Sequence, residues 1–363
     1  MKVELIGKPQ IIMSNQQSRF NYFAWPTIVK MKNNKIAVGA SGFRMYHICP
    51  FGKAVISFSE DGGKTFTAPA PVIDTFLDDR DTGLCPFGKS GLIVTSFNNT
   101  VKFQMEQNIN VRGSQDEKAF IDAYLDMIPP DKEKEALGAT FRISTNCGVT
   151  FGKLNKSPIT SPHGPIELND GTILWVGATF REDDAFGKGK DLIEAYKINP
   201  DGNMEKIGEI KEIYKDGIKI HSCEPYAIQL SDGTILCHIR TEPKFTTYQS
   251  KSTDGGKTWS VPEKILPDHG GAPAHLIEHS SGVLISLYGY RQKPNFGIRA
   301  MFSKDGGETW DIDNIIYENV VSADLGYPST VELDDGNLLT VFYAHPEKDM
   351  PAVIMKQEWH FTD

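Results

Sequence analysis

The sequence predicts an all-β fold: a six-bladed β-propeller with repeated hairpin clasps and one helical insertion in blade two. Three observations predict it. The first is a strand–turn–strand unit that occurs six times, as WPTIVKMKNNKIAVG from Trp25, TGLCPFGKSGLIVTSF from Thr82, HGPIELNDGTILWVG from His163, EPYAIQLSDGTILCHIR from Glu224, PAHLIEHSSGVLISLYGYR from Pro273 and YPSTVELDDGNLLTVFY from Tyr327. Apolar alternation, a polar Gly-containing turn and renewed alternation is a strong hairpin signal. The second is the spacing. The turn positions Asn34, Gly91, Gly171, Gly233, Gly282 and Gly336 lie 57, 80, 62, 49 and 54 residues apart, near the length of one four-stranded blade. The third is a Ser-x-Asp-x-Gly-x-Thr-aromatic motif at 59–66, 252–259 and 303–310, with an altered copy, STNCGVTF, at 144–151.

Each element then has a place. The stretch VELIGKPQIIM is expected to add the outer strand of the last blade and close the ring. The motif follows each third strand. Its Asp and Ser side chains can bond turn amides, its Gly supplies positive φ, and its Trp or Phe packs beneath. The longest spacing holds an insertion at about 114–137. Ser114-x-x-Glu117 is a capping box there. Phe120, Ile121, Tyr124, Leu125 and Ile128 follow at helical spacing, and Pro129-Pro130 ends the helix. A packing element, a lid or a dimer surface are its open roles. The pentapeptide CPFGK occurs at 49–53 and 85–89. One domain is expected over 1–363.

Composition narrows the function. The chain is 39% hydrophobic, 10% aromatic and 23% charged, an ordinary balance for a globular protein with a large core. The net charge of −9 argues against a nucleic-acid surface. No apolar run approaches the roughly 18 residues of a membrane span. The start, MKVELIGKPQ, has no apolar signal region, so a cytoplasmic location is expected. The five cysteines, Cys49, Cys85, Cys147, Cys223 and Cys237, are odd in number and widely spread without CxxC, which fits reduced thiols.

Taken together, the repeats resemble the sialidase superfamily, whose members carry this motif, the Asp box, on six-bladed propellers. The resemblance covers nearly the whole chain. It implies an active site where the innermost strands meet the propeller axis. The residues nine before each turn are Trp25, Thr82, Pro162, Glu224, Pro273 and Tyr327. By resemblance Tyr327 is the nucleophile and Glu224 activates it. Arg240, seven residues past the blade-four turn, matches a family arginine that binds the substrate carboxylate. Arg291 is the corresponding candidate in blade five, with Arg299 as the lesser one. The chemistry is coherent: a neutral tyrosine avoids repulsion from a carboxylate on the anomeric carbon, and a guanidinium fork binds that carboxylate.

The chain also departs from the family pattern. Where the family has Arg-Ile-Pro in blade one, it reads Ala24-Trp25-Pro26. The loop at 40–53, where the family keeps its acid, has no Asp or Glu but offers Arg44, His47 and Lys53. Arg44 is the expected replacement for the missing arginine. Asp81, ahead of Asp79, is the expected proton donor because it begins an inner strand; His47 is the alternative, with an ordinary pKa near 6.5. Trp25 is expected to stack on a sugar face. His163 and His275, on inner strands, are expected to line the sugar pocket, with His221 in a nearby loop, and no metal or cofactor is expected. The resulting expectation is an exo-acting hydrolase that cleaves a terminal acidic sugar with retention. A hydrolase or lyase acting on another uronic or neutral sugar, or a propeller that binds glycan without cleaving it, is the alternative. The partner is carbohydrate in each case, with neither nucleic acid nor membrane.

Overall fold

The computed structural model describes residues 1–108, 113–180, 192–318 and 320–363. Six antiparallel sheets are arranged as blades around one axis. Their inner strands are Tyr22–Lys30, Arg80–Phe87, the short pair Ile159–Thr160 and Ile166–Glu167, Ile218–Gln229, Ala274–Glu278 and Gly326–Glu332. The N-terminal strand Lys2–Met13 pairs with Val353–Thr362 and completes blade six, so the ring closes between the two ends of the strand order. Adjacent blades bury apolar faces against each other. Val38, Val55, Leu339 and Val341 join blades one and six, Ala37, Ile56, Leu92 and Val94 join one and two, and Leu236, Leu276 and Leu284 join four and five. A strand covered on both sides needs apolar residues on both faces, which is why the middle strands read as IAVGA or LLTVFYA rather than as strict alternation.

The Asp boxes form hydrogen-bonded loops. In the third complete copy Asp305 Oδ1 accepts from the Thr309 amide at 2.9 Å, Oδ2 accepts from the Thr309 hydroxyl at 2.6 Å, and the Ser303 hydroxyl accepts from the Gly307 amide at 2.9 Å. The altered copy keeps this geometry. Asn146 Oδ1 accepts from the Thr150 amide at 2.9 Å, while Asn146 Nδ2 donates to the Thr150 hydroxyl at 2.8 Å. The hydroxyl has only to turn from donor to acceptor. The boxes are more than peripheral clasps. A Cβ on Gly63 would lie 2.3 Å from Leu339 of blade six, and one on Gly148 2.5 Å from Phe58 of blade one. Each of these loops presses on the preceding blade.

Three local expectations are refined. The turn of blade two takes its positive φ at Gly88, while Gly91 already begins the next strand. The insertion begins earlier than residue 114, with a helix at Val101–Asn108, followed by Gln115–Asp126 and Pro130–Ala136. Ser114 and Glu117 form the capping box. The helices pack through Ile121 and Leu125 on Met45 and Cys49 of the blade-one loop. The two CPFGK copies are not equivalent: one lies in the loop before the third strand of blade one, the other in the first hairpin of blade two.

Candidate functional site

Four inner strands share one irregularity. Their pairing with the next strand slips between Ala24 and Thr27, Arg80 and Gly83, Cys223 and Tyr226, and Gly326 and Ser329. Within each slip one non-glycine residue has positive φ: Trp25 at 53°, Asp81 at 47°, Glu224 at 47° and Tyr327 at 48°. A bulge re-aims a side chain, and such backbone costs about 1–3 kcal/mol per residue, tolerated where the surroundings enforce it. In blade two the bulged residue is Asp81, one before the Thr82 reached by counting from the turn, because the hairpin there is formed differently.

Two of these residues meet, and Arg240 joins them. The Tyr327 hydroxyl donates to Glu224 Oε1 at 2.5 Å. Arg240 Nη1 donates to Glu224 Oε2 at 2.6 Å and to the Tyr327 hydroxyl at 3.1 Å. Burial, and then the Glu224 charge, push the Tyr327 hydroxyl well above its ordinary pKa. It is therefore a neutral phenol that needs a proton acceptor to react. Asp81 is buried, and burial followed by the Glu224 charge raises it to about 7. Asp79 is also raised to about 7 by burial. It points elsewhere, accepting from the Thr75 amide at 2.6 Å and from Asn98 at 3.3 Å.

His47 lies beside Trp25, with ring centroids 4.9 Å apart. Its Nδ1 faces Asp324 Oδ1 at 3.0 Å and its Nε2 faces Arg80 Nη2 at 3.3 Å. An arginine can only donate, so Nε2 accepts and Nδ1 carries the proton to Asp324. Although 48% of the His47 side chain is exposed, desolvation lowers its pKa, and the Arg80 and Arg44 charges add to this, against the opposing pull of Asp324. Both nitrogens are engaged in the neutral ring. Asp324 also accepts from the hydroxyls of Tyr22 at 2.8 Å and Tyr343 at 3.0 Å, and His345 Nε2 lies 3.1 Å away.

Several expected binding residues lie elsewhere. Trp25 is 1% exposed. Arg44 and Arg80 lie over its ring at 4.7 and 4.1 Å, so no face is open to a sugar. Arg44 does not replace the missing arginine. It is wholly buried in an ion pair of 2.6 Å with the wholly buried Asp78, and a Cβ on Gly52 would intrude at 2.2 Å from its Nη1. Arg291 donates from Nη2 to the Leu325 carbonyl at 2.6 Å and from Nη1 to the Ala272 carbonyl. It joins blades five and six instead of presenting a free fork. Arg299 is buried and donates to the Tyr317 and Asn295 carbonyls at 3.3 Å each. His163 and His275 are buried at ring contact, 4.9 Å apart, with Tyr226 stacked on His275. Burial lowers His163 to about 3 and also depresses His275, so both are neutral core residues and not pocket walls. Among the described residues, no group of three or more His, Cys, Asp or Glu side chains is placed to hold a metal ion. A peripheral cavity of about 530 Å³ beside Lys206, Lys257 and Trp259 is remote from these residues.

Sequence reading missed Glu242, Phe245, Arg80 and the Asp324 cluster. Glu242 Oε1 accepts from Arg240 Nε at 2.9 Å and from Nη2. Its signal was present, because residues two apart on a strand share a face.

Residues 130–340 match the BNR repeat-like domain, and the chain belongs to that family. No curated protein sequence matches it. Among solved structures, a Dyadobacter fermentans protein of unknown function is 20% identical over 99% of both chains, with a TM-score of 0.75. The NanB sialidase of Streptococcus pneumoniae is 14% identical over 97% of this chain and 70% of its own, with a TM-score of 0.67. The Penicillium chrysogenum α-L-arabinanase, complexed with arabinobiose, is 14% identical over 98% of both chains, with a TM-score of 0.61. These likenesses establish a fold shared with glycoside hydrolases.

Proposed function

We propose that the chain is an exo-acting, retaining glycoside hydrolase that releases a terminal sugar from a glycan or oligosaccharide. Tyr327 is the nucleophile, Glu224 its base and Asp81 the proton donor. The carrying observation is the 2.5 Å hydrogen bond from Tyr327 to Glu224, with Arg240 bonded to both. In the first step Tyr327 Oη bonds to the anomeric carbon as its proton passes to Glu224. The glycosidic C–O bond breaks, and its oxygen leaves with the Asp81 proton. In the second step water attacks the same carbon and gives a proton to Asp81, while the C–Oη bond breaks and Glu224 returns the proton to Tyr327. Arg240 steadies the charge on both oxygens.

The acidic sugar expected by resemblance to sialidases requires free arginine forks. The engagement of Arg240 with Glu224 and Glu242 favours a second reading, an uncharged sugar. Nothing in the tyrosine route depends on a charged substrate, and the fold relatives include both a sialidase and an arabinanase. A panel of fluorogenic glycosides tests the hydrolase. Tyr327→Phe is expected to lose at least about 1,000-fold in kcat; undiminished turnover by that variant rejects the tyrosine route.

A further inference from the structure

We infer that Glu242 is a specificity-determining residue that fits the site to an uncharged, hydroxyl-bearing sugar and disfavours one that carries a carboxylate. The inference rests on the hydrolase reading above but not on which oxygen attacks.

A guanidinium has five N–H donors. Arg240 spends Nη1 on Glu224 and Tyr327, and spends Nε and one Nη2 proton on Glu242. The Nε–Nη2 edge is a fork that a substrate carboxylate would grip in two-point fashion. Here an internal carboxylate already holds that edge. Arg291 already spends a proton of each terminal nitrogen on a backbone carbonyl, those of Ala272 and Leu325, so its guanidinium is held between blades five and six. Phe245, in the turn just after Glu242, lies against both cations, its ring centroid 4.6 Å from the Arg240 guanidinium carbon and 5.4 Å from that of Arg291. An aromatic ring thus occupies the ground where two arginines would converge on one anion.

The charges agree. Arg240 faces Glu224 and Glu242 directly. An incoming carboxylate would meet carboxylates. A hydroxyl would not: Glu242 keeps 22% of its side chain exposed, and its Oε2 has no hydrogen-bond partner among the described residues. That oxygen is an acceptor suited to a sugar hydroxyl, and this hydrogen bond would be charge-assisted.

The test uses matched 4-methylumbelliferyl glycosides that differ only by a carboxylate, glucoside with glucuronide and galactoside with galacturonide, together with an arabinofuranoside and a sialoside. The expected result is a kcat/KM at least about 100-fold higher for a neutral substrate than for any acidic one. Glu242→Gln keeps the size and removes the charge. It is expected to narrow that ratio at least tenfold and to raise KM for the neutral substrate; Glu242→Ala is a second variant should the first fold poorly. Wild-type preference for a uronide or the sialoside overturns the inference, as does an unchanged ratio in both variants. If no glycoside is cleaved, the hydrolase reading fails, and binding of neutral and acidic oligosaccharides on a glycan array decides the specificity. Neutral binding, with acidic binding gained in Glu242→Gln, then supports it. Preference for acidic glycans, or binding of none, overturns it.

Discussion

Asp81 and Glu224 are carried on bulged strands of different blades, and the Glu224 charge, added to burial, pushes the Asp81 carboxyl up to about 7. A proton donor must be protonated at the start of the cycle. Activity is therefore expected to fall as pH rises through about 7. In Glu224→Gln the residual activity should keep its Asp81 limb but shift it to lower pH, because one of the raising causes is gone. A pH profile of kcat/KM on a substrate with a good leaving group checks both. An alkaline limb in the same place in the variant would detach Asp81 from Glu224.

The same carboxyl has a stability signature. Its folded pKa lies above the unfolded value near 3.9, so the folded state binds the extra proton between about 4 and 7. The stabilising contribution is complete below about 4 and is lost as pH rises through about 7. Asp81→Asn is expected to raise stability at pH 8 by on the order of 2 kcal/mol relative to wild type, while abolishing activity. Thermal melts at pH 5 and 8 should show the gap widening with pH.

Arg44 is assigned to the fold, not to substrate. Arg44→Met removes the 2.6 Å partner of the buried Asp78 and leaves it only Arg80 at 3.5 Å and the Cys49 amide at 3.1 Å, and the expected cost is about 3 kcal/mol. A substrate-binding arginine would instead raise KM and spare the unfolding midpoint. Denaturant unfolding alongside kinetics separates the two.

Arg291 is expected to act by positioning. Its bond to the Leu325 carbonyl holds the chain two residues ahead of Tyr327. Arg291→Met should lower kcat about tenfold or more with KM changed less than about threefold. A rise in KM confined to acidic substrates would return Arg291 to the binding role.

Gly63→Ala should cost about 1–3 kcal/mol, since φ is +83° and the new methyl meets Leu339 at 2.3 Å. Gly62→Ala, with φ of +73° but open space, should cost less. The difference between their melting temperatures measures the contact with the neighbouring blade.

The ring of blades was legible because hairpin turns and Asp boxes are local signals. Glu224 and Tyr327 were reachable by counting back from those turns, and the fold brings them within one hydrogen bond. Asp81 was reached for a different reason, its place at the start of a strand, since the blade-two turn misleads the count by one. Trp25 failed as a sugar platform because no local pattern tells which face of an indole two arginines will cover. Arg44 failed because its partner, Asp78, lies far along the chain, in the loop that leads into blade two. Burial and long-range pairing decide such roles, and neither is written in nearby residues.

The closure of the ring has a kinetic consequence. Among the described strands, the ladder between Lys2–Met13 and Val353–Thr362 is the strand pairing that ties the early chain into the last blade's sheet, beside the packing of blade one on blade six, and its register shifts between Ile6 and Gln10 and again between Ile11 and Met13. An interrupted ladder at a seam is where a closed molecule unzips first. The seam belongs to the sheet that carries Tyr327. Amide exchange should thus be fastest along this ladder among the blade strands, and heating should silence the nucleophile's blade before the other five come apart.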